Sequence, residues 1–181
     1  RIQNLMKTTQ IVLLGYMGSG KTAVGESLHK QLQMEFLDLD YYIEQKFNTP
    51  VTAIFEQKGE LFFRAEERKA LEELLQRDTP LILSLGGGTP CYYDTMEYLK
   101  GFDKLKTFYL QTGIGTLSER LEKAKRTRPL LAHLKDLDQI KEFVGKHLFE
   151  RNPFYLQADY KIVTDHKSVE TVALEIQNTL T

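Results

Sequence analysis

Residues 15–22 read "GYMGSGKT". Gly15, Gly20, Lys21 and Thr22 fit the pattern G-x-x-x-x-G-K-[ST],. The apolar run "TQIVLL" (9–14) before them reads as a buried strand, and a helical pattern follows to about Gln33,. Strand, glycine loop and helix in that order specify a phosphate cradle. Glycines let backbone N–H groups turn inward, and the helix N-terminus adds positive potential. Gly15, Gly18, Ser19, Gly20, Lys21, Thr22 and Ala23 are the candidate nucleotide contacts. Lys21 would reach the β/γ-phosphates, and the Thr22 hydroxyl would ligate Mg²⁺.

Outward from this loop, strands alternate with helices. "EFLDL" (35–39), "PLILSL" (80–85), "LKTFYL" (105–110) and "DYKIVT" (159–164) are the further predicted strands. Helices are expected for "YYIEQKF", for "NTPVTAIFEQKG" with Thr49 as N-cap and Gly59 as stop, and for "ELFFRAEERKALEELLQR",. Further helices fall near 93–100, at about 114–124, in "DQIKEFVGKHLFERN" and in "SVETVALEIQNTL". The pattern is that of an α/β layer fold with a mostly parallel sheet, one domain over 1–181. Met6-Lys7 reads as a natural start, so residues 1–8 are expected to be a disordered or appended beginning.

The 181 residues carry 24 basic and 25 acidic side chains, a formal charge of −1, which gives no general pull toward nucleic acid or anionic membrane,. One cysteine, Cys91, excludes an internal disulfide and fits a reducing, cytoplasmic setting,. No apolar run approaches the ~20 residues that span a bilayer.

Asp38 and Asp40 stand two apart at the end of an apolar run. In a strand they face the same way. Two acceptor-only groups suit vicinal hydroxyls on a polyol, or a water shell around Mg²⁺. The alternative for Asp40 is an N-cap on "YYIEQKF", with Glu44 in the first turn.

In helix 60–77, Leu71, Leu74 and Leu75 mark the apolar side, and Glu67 and Arg64 continue it,. A buried charge needs a partner. Either the two form a structural ion pair, or Glu67 orients Arg64 toward an anion. Arg151 likewise continues the inward face of Phe143, Val144 and Leu148; its other reading is an interaction with the helix dipole. Two inward arginines suggest one carboxylate on the acceptor. The basic stretch 123–138, broken by Pro129, reads as a mobile loop whose Arg128 can close over a transferring phosphate; the alternative is a solvated basic loop. "SLGGG" ends the third strand. Gly86, Gly87 and Gly88 allow close backbone approach to a ligand, and Ser84 is placed to meet the Mg²⁺ water shell. The four histidines lack metal-ligand spacing. Cys91 reads as a small buried hydrophobe near the pocket, and the tyrosines fall at core spacing rather than as a stacking platform.

Taken in order, "GYMGSGKT", "FLDLD", "FFRAEE", "LSLGGG", "RPLL" and "RNPFY" resemble the shikimate kinase family over almost the whole chain from about Thr9. The resemblance implies a P-loop fold of the nucleoside-monophosphate-kinase type: three layers, a five-stranded parallel sheet, a lid at 123–136 and a substrate region at 38–68. It implies that Asp40 binds the acceptor's hydroxyls and that Asp38, near the magnesium water, is a candidate base. Arg64 and Arg151 would hold the shikimate carboxylate, with backbone of Gly86–Gly88 beside it, and Arg128 would approach the transferred phosphate. The family's adenine-stacking arginine falls at Leu121, with Arg120 one position earlier as its substitute. The implied reaction is ATP- and Mg²⁺-dependent phosphorylation of the 3-hydroxyl of shikimate, in chorismate and aromatic amino acid biosynthesis, by a cytoplasmic monomer. The rivals are a gluconate-type kinase, which would not be expected to combine "DLD", "FFR" and "LGGG", and an inactive nucleotide-binding regulator of the same fold.

Overall fold

The computed structural model describes residues 10–124 and 131–180. Five parallel strands form one sheet among them: β1 (Gln10–Leu14), β2 (Glu35–Asp38), β3 (Leu81–Ser84), β4 (Leu105–Gln111) and β5 (Tyr160–Val163). Their spatial order is β2-β3-β1-β4-β5. The chain leaves β1 toward one side and returns to fill the other, so β1 ends at the topological switch point, where ligands bind in open α/β sheets.

The helices are α1 (Lys21–Leu32), α2 (Leu39–Phe47), α3 (Val51–Lys58), α4 (Glu60–Leu75), α5 (Thr95–Lys100), α6 (Ile114–Ala124), α7 (Leu137–Tyr155) and α8 (Val169–Leu180), with a 3-10 turn at Thr89–Cys91. β1 is buried on both faces, as a central parallel strand must be,. Ile11 and Leu13 pack with Val24 and Leu28 of α1 and Val172 and Ile176 of α8. Val12 and Leu14 face the other way, toward Leu39, Phe63, Leu71, Val144 and Tyr155. That second layer is the one from which Arg64, Glu67 and Arg151 project. Among the described residues, no helix is long and apolar enough to cross a membrane.

Two local expectations change. β2 stops at Asp38, and Asp40 lies in the first turn of α2 rather than beside Asp38 on a strand. The cap is Asp38, whose Oδ1 accepts from the Tyr41 N–H at 3.1 Å. A carboxylate in extended backbone before a helical run captures that donor and starts the helix two residues early. Glu44 instead accepts from the Val51 N–H and ties α2 to α3. α7 runs past Asn152 through Pro153 to Tyr155. The proline forgoes one bond, to the carbonyl of the exposed Phe149, and the Leu156 N–H closes the end on Asn152,.

Candidate active site

The glycine loop leaves β1 with Gly15, Gly18 and Gly20 at φ of 151°, 86° and 95°. L side chains rarely adopt these values, so the motif's glycines are required by backbone geometry. Lys21 Nζ bonds the carbonyls of Gly15 (2.7 Å) and Tyr16 (3.1 Å), which holds the ammonium over the loop. Thr22 and Ala23 are exposed in the first turn of α1, and Ser19 is buried with its hydroxyl lacking a partner among the described residues. Arg120 of α6 donates to the Gly18 carbonyl at 2.9 Å, whereas Leu121 is buried against Gly18. The structure thus brings Arg120, not Leu121, to the nucleotide loop as a polar group.

Asp38 pairs in register with Ser84 across the sheet edge. Ser84 Oγ is buried without a partner among the described residues. Carboxylate and hydroxyl oxygens of this kind, with the exposed Thr22 hydroxyl at the start of α1, are hard donors,. Among the described residues no group of three His, Cys, Asp or Glu is placed to hold a metal. A sparse oxygen set suits Mg²⁺, which keeps most of its waters and leans on substrate phosphates.

The three glycines after β3 each make room for one acceptor-side group. A Cβ on Gly86 would lie 3.0 Å from Asp40 Oδ1, one on Gly87 2.9 Å from Arg151 Nη1, and one on Gly88 would overlap the Arg64 guanidinium. None of the three has positive φ, so space rather than backbone freedom requires glycine here. The run gathers Asp40 from α2, Arg64 from α4 and Arg151 from α7 at one point, next to the backbone of Met17 and Gly15 in the phosphate loop.

The ion pair expected of Arg64 and Glu67 is formed. Its Nη1 donates to Glu67 Oε1 and Oε2 at 3.0 and 3.2 Å, and Thr89 Oγ1 donates to Oε2 at 2.9 Å. Arg64 and Glu67 are 7% and 2% exposed, so the pair is inside the protein. Arg64 Nε is buried and lacks a hydrogen-bond partner among the described residues. Glu60 Oε1 stands 3.9 Å from that nitrogen, so the guanidinium keeps a donor that can be offered to an anion,. Burial pushes the Glu67 carboxyl up, against the pull of Arg64 and Thr89.

Asp40 titrates at about 7, raised from an ordinary value of 3.8. Burial is the main cause, followed by the neighbouring charges of Asp38 and Glu67; Lys21 and Arg64 oppose them. Tyr155 donates to the Gly87 carbonyl and fixes the glycine run from behind; burial pushes its phenol up. Cys91 is half-buried against the core, and burial raises its thiol although Arg151 and Arg64 pull it down. Arg128 lies outside the described residues. Sequence reasoning passed over Thr89, Tyr92 and Tyr155. Only the nearness of Thr89 and Tyr92 to the glycine run hinted at them.

Phosphate loop and acceptor groups face each other over the end of β1, with the carboxylate and arginine side chains on helices that pack beside it. This is a P-loop kinase of the nucleoside-monophosphate-kinase-like fold. The family model "SKI: Shikimate kinase" matches residues 17–181. A shikimate kinase of Flavobacterium psychrophilum is 44% identical over 171 residues, covering 94% of this chain and 98% of the relative. The crystal structure of shikimate kinase from Bacteroides thetaiotaomicron superposes with a TM-score of 0.83 at 34% identity, covering 95% of this chain and 98% of that one. Shikimate kinase from Acinetobacter baumannii in complex with shikimate gives 0.84 at 33% identity, covering 99% and 97%. The chain belongs to the shikimate kinase family.

Proposed function

We propose that this protein transfers the γ-phosphoryl group of ATP to the 3-hydroxyl of shikimate, giving shikimate 3-phosphate and ADP in aromatic amino acid biosynthesis. The observation that carries the reading is the convergence of Asp40, Arg151 and Arg64 on Gly86, Gly87 and Gly88 beside the phosphate loop. Two guanidinium groups suit the acceptor's carboxylate, and the Asp40 carboxylate beside Gly86 suits its hydroxyls,. This chain's known relatives carry the shikimate kinase name.

Lys21 and the loop N–H groups would hold the phosphates, and Arg120 would lie against the nucleotide's base. Thr22, with Asp38 and Ser84 through water, would hold Mg²⁺. When bound, that ion neutralises charge on the phosphate oxygens. Asp38 already accepts from the Tyr41 N–H. Asp40, raised to about 7, is therefore the better base, because a proton acceptor works best when its pKa is near the working pH. It takes the proton of the 3-hydroxyl as that oxygen bonds to phosphorus and ADP leaves. Arg128 is assigned to neutralise charge on the phosphoryl group in flight. One chain supplies every group used here, so we take the monomer as the acting unit.

The test is ADP release with ATP and Mg²⁺ in the presence of shikimate, quinate, gluconate or no acceptor, on wild type and Arg64→Ala. Turnover that depends on shikimate and collapses in Arg64→Ala is expected. Gluconate-dependent turnover would move the chain to the other kinase class, and tight ATP binding without any turnover would make it a regulator.

A further inference from the structure

Glu67 grips Nη1 of Arg64, and that fixes one edge of the guanidinium. An edge held by one partner still pivots about the bond. Its face is covered by Tyr92: Arg64 Cζ lies 4.2 Å from that ring's centroid, against 5.4 Å for Phe63 and 5.7 Å for Phe55. The Tyr92 phenol in turn donates to the Glu60 carboxylate. Glu60 Oε1 stands 3.9 Å from Arg64 Nε, too far for a hydrogen bond but close enough to compete for that donor. Tyr92 therefore does two things: it stacks on the guanidinium plane, and it occupies the Glu60 carboxylate, which stands 3.9 Å from the open Nε.

The next turn of α4 repeats the stack without the receptor. Arg68 Cζ lies 4.2 Å from the Tyr98 centroid, and its nitrogens are taken by Asp94 (2.8 Å), Glu72 (3.0 Å) and Thr95 (3.2 Å). Arg68 is an arginine–tyrosine rung whose Nε and Nη1 are both taken by neighbouring side chains. Arg64 is the same rung with Nε left over.

We infer that Tyr92 is a positioning residue for acceptor recognition: it holds the plane of Arg64 and keeps Glu60 off it, so that the edge unused by Glu67 meets the acceptor's carboxylate. The inference rests on the proposed reading of Arg64 as part of the carboxylate receptor. A bidentate arginine contact needs plane and edge both aligned, which is why the stack bears on binding and not on packing alone.

The experiment is steady-state kinetics of Tyr92→Ala, Tyr92→Phe and Tyr98→Ala, with Tyr92→Ala repeated in an Arg64→Ala background. Tyr92→Leu stands in if the alanine variant does not fold. Tyr92→Ala is expected to raise KM for shikimate about tenfold, the scale of a desolvated cation–π contact, with kcat and KM for ATP near wild type. Tyr92→Phe keeps the stack but frees Glu60, so it should recover most of the loss, and Glu60→Gln added to it should recover the rest. Tyr98→Ala should lower the melting temperature and leave KM for shikimate unchanged. In the Arg64→Ala background, Tyr92→Ala should cost nothing further in kcat/KM. Unchanged KM in Tyr92→Ala, a full extra loss on top of Arg64→Ala, or an equal KM rise in Tyr98→Ala would each overturn the inference. If instead Arg64→Ala itself keeps the wild-type KM, it is the carboxylate reading beneath that fails.

Discussion

Asp40 shows how a single carboxyl couples function to stability. Its folded pKa, about 7, lies above the ordinary 3.8, so ionisation is easier in the unfolded chain. Its contribution to stability is therefore complete below about pH 4 and is lost as pH rises through 7; the gap between the folded and unfolded values corresponds to about 4 kcal/mol as an upper scale. Asp40→Asn removes that dependence. The variant should melt higher than wild type at pH 8 and nearly level with it at pH 4, while its kcat falls by roughly 10²–10⁴-fold, the usual worth of a base. Melting curves across pH, beside turnover at pH 8, check both halves; a variant less stable than wild type at pH 8 would contradict the buried-charge account. Gly88 carries a second prediction at this scale. A Cβ there meets an Arg64 guanidinium that Glu67 and Tyr92 already hold in place. Gly88→Ala should therefore cost about 1–3 kcal/mol of strain or acceptor affinity, read as a rise of about five- to 150-fold in KM for shikimate.

Between elements, the contacts that matter are caps made across the chain. Asp165, after β5, accepts from the Gly113 N–H (2.9 Å) and the Thr116 hydroxyl (2.7 Å) at the start of α6. These donors hold its carboxyl below the ordinary carboxylate value. A depressed pKa means stability present above about pH 4 and lost as pH falls through the folded value. Asp165→Ala should lower the melting temperature at pH 7 by a few degrees, the scale of one lost cap of about 1 kcal/mol, with a smaller effect at pH 3. The same scale explains what the sequence could reveal. The phosphate loop and the Arg64–Glu67 stripe are legible because their geometry is local: a fixed glycine spacing, and three- and four-residue steps on one helix. The β2–α2 boundary is not, because alternation predicts that Asp38 and Asp40 share a strand face, and a single side-chain cap on Tyr41 decides otherwise. Tyr92 is hidden for another reason. Nothing in its neighbours distinguishes a ring that stacks on a guanidinium from one that fills a core, since its partner comes from a distant helix.

Across the whole molecule, a buried tyrosine joins the glycine loop to the helix that carries Arg151. Tyr16 follows the first glycine of the loop and is 1% exposed. Its phenol is hydrogen-bonded to His147 Nδ1 of α7 at 3.0 Å, its ring meets the imidazole edge-on at 5.4 Å, and Arg151, one turn further along α7, lies 5.9 Å from the same ring. The bond ties the loop to the helix that carries Arg151, so a shift of one would be passed to the other. Burial, with Arg151 beside it, holds the His147 pKa below the ordinary value and keeps the imidazole neutral, so the bond persists near pH 7,. Two sites that share one such element bias each other by equal factors, whichever ligand arrives first. Shikimate should therefore bind more tightly when a non-hydrolysable ATP analogue is present. Tyr16→Phe, which keeps the ring and removes the hydrogen bond, should reduce that enhancement by about three- to tenfold, the net worth of one hydrogen bond. Calorimetric titration of shikimate with and without the analogue measures the ratio in both proteins. An enhancement that survives intact in Tyr16→Phe would show that the coupling travels by another route, such as the glycine run that meets the loop at Met17 and Gly15.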